Sequence, residues 1–527
     1  MTSPKSALAA MPQALSNVAA DADWTTGPDN IVIGKDVLEL LSTSMYVDPM
    51  TIYREYVQNA TDSIDEARAK GLLPPTEPGR VLIETNAATR SIRIQDNGTG
   101  IPWSRFTRQL TSIGASAKRG SKARGFRGVG RLAGLGYCQE VIFRSRTSAE
   151  HLVSELRWDC RRLQVALRSA DFKGGLTELI QDAVAVRRVS LDGYPERFFE
   201  VELRGVTRHR HDRFLSPPAI AEYLGQTAPL PFDPAFSFAA EITATLDPHV
   251  HLGNLHLTIR GIDGPIYRPH QNRIEISDDV YDAFTVFEPI EITGVDGDIA
   301  AVGWLLHHGY TGAIPAKAGV KGLRFRVGNV QVGEGNLLEE LFPEPRFNAW
   351  SVGEIHILDP RIVPNGRRDH FQPNVHFNNV LNHLAPTVRE IARRCRTSSI
   401  RRKWLREFEL HHIAAREKLA ILNQGTLASQ EREQIAGTVR RDLAAMTKIT
   451  AMDELWLDDK THLKPTAEAL ARDLDEAIGS TTPAAPLANL PPAKRKLYEH
   501  FFGLIYQCSA NQVAAKALID RILVKIV

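Results

Sequence analysis

The chain has 527 residues, of which 43% are hydrophobic and 24% are charged. At roughly 100–200 residues per domain, this length predicts about three or four domains, and the composition excludes a collagen-like, wholly disordered or membrane-bundle protein. Lysine and arginine number 64 against 62 aspartate and glutamate, so the formal net charge of +2 favours no class of partner.

The cysteines and the apolar runs bear on the compartment. Four cysteines lie far apart without a Cys-x-x-Cys pair, which argues against a disulfide framework or a zinc cluster and favours a reducing cytoplasm. No run approaches the ~18 apolar residues of a spanning helix, so we expect no membrane association.

Changes in composition along the chain predict its domain organisation. We expect a flexible tail at 1–27, a mixed helix-and-strand block at 28–230, a second such block at 231–375, a helical region at 376–478, a linker at 479–493 and terminal helices at 494–527. The alternating segment 235–246 is predicted to be the first strand of the second block.

The first element with candidate chemistry is a helix predicted over residues 51–68, which contain no proline or glycine. On this helix Glu55, Asn59 and Asp62 stand at i, i+4 and i+7, so two carboxylates and an amide share one stripe. A solvated polar face is the alternative interpretation of that stripe.

A predicted β-hairpin follows over residues 80–95, and its second strand runs into Asp96-Asn97-Gly98-Thr99-Gly100. The two glycines allow close approach of the backbone to a planar ligand, and the Asp96 carboxylate is an acceptor for an amino group such as that of adenine. An ordinary turn after a strand is the alternative.

A basic, glycine-rich segment extends from Leu110 to Tyr137. Its glycines precede an apolar helical stretch, so its backbone N–H groups and the helix N-terminus are suited to phosphates. The alternative is a basic loop without a ligand.

In this order the three segments, REYVQNATDSID, DNGTG and GFRGVGRLAG, resemble the motifs of the GHKL ATPases, the superfamily of gyrase, the heat-shock-protein-90 chaperones, histidine kinases and MutL. The resemblance implies an α+β Bergerat fold, in which an antiparallel sheet carries helices on one face. It also implies ATP as ligand, together with Mg²⁺.

The resemblance implies roles for individual residues. Glu55 would be the general base that deprotonates the attacking water, Asn59 would coordinate Mg²⁺, and Asp62 would support the site. Asp96 would bind adenine, with Thr177 as a tentative companion. The remaining nucleotide-binding positions would be Gly98, Gly100, Lys118, Gly128, Val129, Gly130 and Arg131.

A second stretch, residues 353–372, is similar to the middle-domain segment that brings an arginine to the γ-phosphate in the heat-shock-protein-90 group. Arg368 matches that arginine best, and Arg367 is the neighbouring alternative. A surface ion pair with Asp359 or Asp369 is the interpretation without a catalytic role. The match implies a transducer-like middle domain and hydrolysis that depends on domain docking.

The helical region raises competing functions. Between Arg389 and Arg406 eight basic residues face one acid, Glu390, a pattern that suits nucleic acid but also a solvated helix, and nearby apolar residues favour self-association. The leading hypothesis is a chaperone-like ATPase that acts on a client protein as a homodimer. The alternatives are a DNA-acting clamp resembling MutL or the MORC proteins, and a nucleotide-sensing scaffold.

Overall fold

The computed structural model describes most of the chain. The described residues are 35, 38, 48–113, 130–169, 172, 174–190, 192–252, 255–479 and 486–526. The expected N-terminal tail, the sites assigned to Lys118, Gly128 and Val129, and part of the expected linker lie outside these residues.

A seven-stranded sheet forms the first unit. Its strands are β1 (Gly79–Asn86), β2 (Ser91–Asp96), β3 (Glu140–Arg146), β4 (Val153–Asp159), β5 (Val184–Val189), β6 (Phe198–Arg204) and β7 (Leu255–Ile259). The spatial order is β5-β4-β3-β6-β2-β1-β7, and the pairs are antiparallel except for β1 with β7. Strand β7 therefore joins this sheet although it lies beyond the boundary expected near residue 230.

Helix α1 (Thr51–Ala69) covers one face of the sheet and confirms the helix predicted over 51–68. Its apolar side chains recur at helical spacing and share one buried core with alternate strand residues, so that Val57 and Ile64 belong to the same cluster as Ile83 and Ile94. The other helices of this unit are α2 (Trp103–Thr111), α3 (Cys160–Arg168), α4 (Leu176–Ala183) and α5 (Pro217–Thr227). The mixed α+β character agrees with the expectation.

The segment 235–246 corrects one prediction, because it contains helix α6 (Ala239–Leu246) and no strand. The buried residues Ile242 and Leu246 are four positions apart, which is one helical turn, and the alanines between and before them favour helix. The alternation of apolar and polar residues was therefore a misleading signal.

A second, five-stranded sheet follows in the order β10-β11-β14-β12-β13. Its strands are β10 (Val286–Thr293), β11 (Ile299–His307), β12 (Gly322–Val327), β13 (Val330–Val332) and β14 (Val352–Ile357), and a separate hairpin consists of β8 (Arg273–Ser277) and β9 (Val280–Ala283). The residues between β14 and the next helix form a loop that returns to helix α1.

The rest of the described chain is mainly helical. The helices are α7 (Val375–Asn423), α8 (Ser429–Thr450), α9 (Leu457–Gly479), α10 (Pro492–Cys508) and α11 (Gln512–Ile526). Within the described part of the chain, no helix combines the length and apolar composition that a membrane span requires.

Candidate nucleotide-binding site

Helix α1 presents its polar stripe towards the interior of the protein. Glu55 and Asp62 are buried and Asn59 is half-buried, which excludes the interpretation of the stripe as a solvated face. A buried carboxylate loses hydration and needs polar or charged partners to compensate. The stripe is therefore a candidate site.

At one end of the stripe, Glu55 meets two arginines and a glycine. Glu55 Oε1 lies 3.5 Å from Arg54 Nη2 and 3.5 Å from Arg368 Nε. Gly130 begins the 3₁₀ helix Gly130–Gly136, and a Cβ atom placed on it would overlap Glu55 Oε2. Glycine thus lets this backbone come directly onto the carboxylate.

At the other end, the Asp96 turn packs on helix α1. The Gly98 N–H donates to Asp96 Oδ1 over 2.8 Å, and the Thr99 N–H donates to Ser63 Oγ over 3.0 Å. A Cβ atom on Gly98 would overlap Ser63 Oγ, so the close approach of turn and helix requires glycine there.

Gly100 is constrained from a different side. Its φ of +67° lies in the left-handed region, and a Cβ atom on it would overlap the carbonyl oxygen of Arg146 in β3. Glycine is therefore needed both for backbone conformation and for space. Gly100 thus packs the turn against strand β3 of the sheet and not against helix α1.

The carboxyl group of Asp96 has an unusual protonation equilibrium. Burial raises its pKa to about 7, although the hydrogen bond from the Gly98 N–H and the charge of Arg197 act in the opposite direction. Arg197 is held in place because its guanidinium donates to the Gly98 carbonyl oxygen. Asp96 therefore changes charge near neutral pH, where a hydrogen-bond donor from a ligand would favour its ionised form.

The two ends of the stripe are about 12 Å apart, because eight residues separate Glu55 from Ser63 and each rises 1.5 Å. Asn59 lies midway. An elongated ligand with a base at the Asp96 end and an anionic group at the Glu55 end fits this spacing.

The residues that flank segment 114–129 contact each other, and those that follow it also contact helix α1. Tyr56 Oη donates to the Arg131 carbonyl oxygen over 3.1 Å and accepts from the Gly134 N–H over 3.2 Å. Arg131 Nη2 donates to the Ser112 carbonyl oxygen over 2.6 Å, and burial lowers the pKa of Arg131. The Arg131 side chain thus links the residues that precede segment 114–129 to those that follow it. Lys118, Gly128 and Val129 lie outside the described residues.

Thr177 is not brought to Asp96. It is exposed on helix α4, which leads into the edge strand β5. Strands β4, β3 and β6 separate β5 from β2, a distance of roughly 19 Å across the sheet. The hydroxyl groups at the Asp96 turn include those of Ser63 and Thr99, whose oxygens lie 3.4 Å apart.

The loop after β14 reaches helix α1 through Arg368. Arg368 Nη1 donates to Gln58 Oε1 over 2.5 Å, and Arg54 Nη2 donates to the Arg367 carbonyl oxygen over 3.4 Å. Arg367 is itself exposed. Of the two candidate arginines, Arg368 is the one whose side chain lies against Glu55.

The surface ion pair expected as an alternative for Arg368 is not formed with either acid. Asp359 pairs with Arg361, and Asp369 Oδ1 accepts from Asn365 Nδ2 over 2.6 Å. Arg368 instead turns inward, where 15% of its side-chain surface remains exposed.

A cavity of about 900 Å³ lies against the opposite side of β1, β2 and β7. Its lining includes Leu82, Gln95 and His256, and it meets the candidate site at the Asp96 turn, through Asp96, Asn97 and Arg197. It does not contain Glu55, Asn59 or Arg368 and is therefore a separate space.

Several contact residues escaped the sequence analysis. Ser63 follows Asn59 by one helical turn, so its place on the stripe could have been found from spacing alone. Gln58 and Arg54 had no such signal, because their contacts with the loop after β14 join residues more than 300 positions apart in the chain. Arg197 precedes β6 with no motif around it.

One comparison with known proteins gives a match over the segment that carries helix α1 and the Asp96 turn. Residues 51–171 match the family model described as Histidine kinase-, DNA gyrase B-, and HSP90-like ATPase. No curated protein matched the chain. The matched segment contains helix α1, the Asp96 turn and the Gly130 helix, so this part of the chain is similar to GHKL-type ATPase domains, for which ATP binding is expected.

The pKa of Asp96 leads to a prediction about pH. We expect ATP affinity to fall as the pH is lowered from 8 to 6, by up to about tenfold, because protonation near pH 7 removes the ionised acceptor that the adenine amino group favours. Isothermal titration calorimetry with excess Mg²⁺ measures the affinity.

Asp96→Asn is the control for that experiment. Its affinity should be weaker than that of the parent at pH 8 and independent of pH over this range. Asp182→Asn makes the same chemical change on the exposed surface of helix α4 and should behave as the parent. Equal slopes for the parent and Asp96→Asn would contradict the assignment.

Proposed function

We propose that this protein is an ATP-dependent conformational-switch ATPase that resembles the heat-shock-protein-90 chaperones. The observation that carries the proposal is the contact between Arg368, from the second sheet unit, and Glu55, in the GHKL domain. A basic side chain from a separate unit at the reacting end of the site makes hydrolysis depend on docking of the two units.

In the proposed chemistry, the two ends of the polar stripe on helix α1 have different roles. Asp96 binds the adenine amino group, and the backbone at Gly130 faces the phosphates. Glu55 takes a proton from the attacking water, and Arg368 neutralises the charge that develops on the transferred phosphoryl group. Phosphoryl transfer requires mainly positioning and electrostatic stabilisation, which these groups supply.

Asn59 is the proposed ligand of Mg²⁺. Its amide is a neutral oxygen donor on the same stripe as the Glu55 carboxylate, and hard oxygen donors fit a cation that keeps several of its waters. Bound there, Mg²⁺ would neutralise phosphate charge. Asp62, buried one turn further along helix α1, would support this surface.

The position of Arg368 in the chain explains how the site would act on the rest of the protein. The loop that carries it begins after β14 and ends at the start of helix α7, a helix of 49 residues. Movement of Arg368 between Glu55 and a phosphate would therefore displace both the second sheet and the long helix. This is the proposed conformational output.

The proposed partners are a client protein and a second copy of the chain. Three apolar residues on helix α10 recur at one-turn spacing and are exposed: Leu497 by 65%, Phe501 by 51% and Leu504 by 41%. Such a stripe favours self-association over a solvated helix.

A DNA-acting clamp is the weaker alternative, because most of the basic residues between Arg389 and Arg406 are engaged within the chain. The ion pairs join Arg393 and Arg394 to Glu390, Arg396 to Glu344, Arg401 to Asp459 and Lys403 to Glu407. Arg402 donates to the Tyr310 carbonyl oxygen. The paired carboxylates already neutralise part of this positive charge and would compete with nucleic-acid phosphates for it.

The proposal predicts separate effects on binding and turnover for Glu55. Glu55→Gln keeps the shape that packs on Gly130 but removes the proton acceptor, so turnover should fall by at least about a hundredfold while ATP still binds. A phosphate-release assay and calorimetry measure the two quantities. Glu66→Gln, on the exposed side of helix α1, is the matched control, and parental turnover in Glu55→Gln would reject Glu55 as the base.

Substitutions of the two adjacent arginines should have different effects on turnover. Arg368→Ala should lower turnover roughly a hundredfold or more with ATP affinity retained, because the charge opposite the phosphates is lost. Arg367→Ala removes an equal charge from the exposed neighbouring position and should leave turnover near the parental value. Similar losses in both variants would contradict the assignment to Arg368.

A further inference from the structure

Gln58 is a buried side chain at the junction between the two units. It lies on helix α1 one turn after Glu55, and only 1% of its surface is exposed. Its Oε1 atom accepts the hydrogen bond from Arg368 Nη1 at 2.5 Å, while Arg368 Nε lies 3.5 Å from Glu55 Oε1. One guanidinium thus spans the carboxylate and the amide.

The side chain of Gln58 is a neutral amide, which suits a partner guanidinium that must keep its positive charge for binding an anion. A buried guanidinium needs acceptors for its N–H groups, because leaving one without a partner is unfavourable. A neutral amide supplies an acceptor without cancelling the positive charge, whereas a carboxylate at this position would form a second ion pair. Gln58 therefore holds Arg368 and preserves its charge.

The backbone of the loop after β14 fixes the orientation in which Arg368 meets Gln58. Arg368 has a φ of +57°, a left-handed conformation that a residue with a side chain keeps only when its surroundings support it. Its carbonyl oxygen accepts from the Gly333 N–H over 2.8 Å, and its N–H donates to the Asn365 carbonyl oxygen over 3.2 Å. The second sheet therefore presents Arg368 in one orientation, and Gln58 receives it.

We propose that Gln58 is a positioning residue, which acts through Arg368 by holding its guanidinium beside Glu55 and so couples docking of the second unit to hydrolysis. This inference rests on the proposed ATPase function. It assigns Gln58 no contact with the nucleotide. Loss of Gln58 should therefore affect the rate of hydrolysis and not the binding of ATP.

The test uses the full chain and Gln58→Met, which keeps the length of the side chain and removes the hydrogen-bond acceptor. We expect kcat to fall about tenfold with an unchanged Kd for ATP, because Arg368 loses one charge-assisted hydrogen bond. In the Arg368→Ala background, Gln58→Met should cause no further loss, because the residue it positions is absent. Gln430→Met, on the exposed surface of helix α8, controls for the introduction of methionine.

The other possible outcomes distinguish the positioning role of Gln58 from the proposed ATPase function. Parental kcat in Gln58→Met, an equal loss of kcat and ATP affinity, or additive effects in the double variant would overturn the role of Gln58 alone, provided that Arg368→Ala is impaired. Parental kcat in Arg368→Ala, or absence of turnover in the parent, would overturn the proposed function itself, and this inference with it.

Discussion

The burial of an acidic side chain on helix α1, which faces two different parts of the chain, is the constraint on which the candidate site depends. Glu55 is 6% exposed, and among the described residues Arg54 and Arg368 place charged groups 3.5 Å from its carboxylate. A carboxylate in such a place loses most of its hydration, and charged or polar partners compensate for that loss. Because one partner comes from the second unit, docking and the electrostatics of the site are linked.

Glycine provides the complementary constraint. Gly130 and Gly98 approach helix α1 so closely, at Glu55 and at Ser63, that a Cβ atom at either position would overlap the helix side chain. These two contacts hold the backbone segments that would meet the phosphates and the base. The distance between them is fixed by the helix, so the ligand-binding groups share one rigid reference.

Local periodicity explains what the sequence could and could not predict. Helix α1, the β1–β2 hairpin and the Asp96 turn were predictable because each is encoded within about twenty residues. The strand expected at 235–246 was wrong because a short helix and a strand can share an alternating pattern. The Gln58–Arg368 contact was invisible because it joins residues 310 positions apart, and Thr177 was proposed without knowledge of the strand order.

The most direct test is a crystal structure of the full chain with Mg²⁺ and a non-hydrolysable ATP analogue. The expected result is that adenine lies within hydrogen-bonding distance of the Asp96 carboxylate and that the terminal phosphate lies beside Glu55 and Arg368. A nucleotide bound instead in the cavity on the opposite face of β1, β2 and β7, lined by Gln95 and His256, would contradict it.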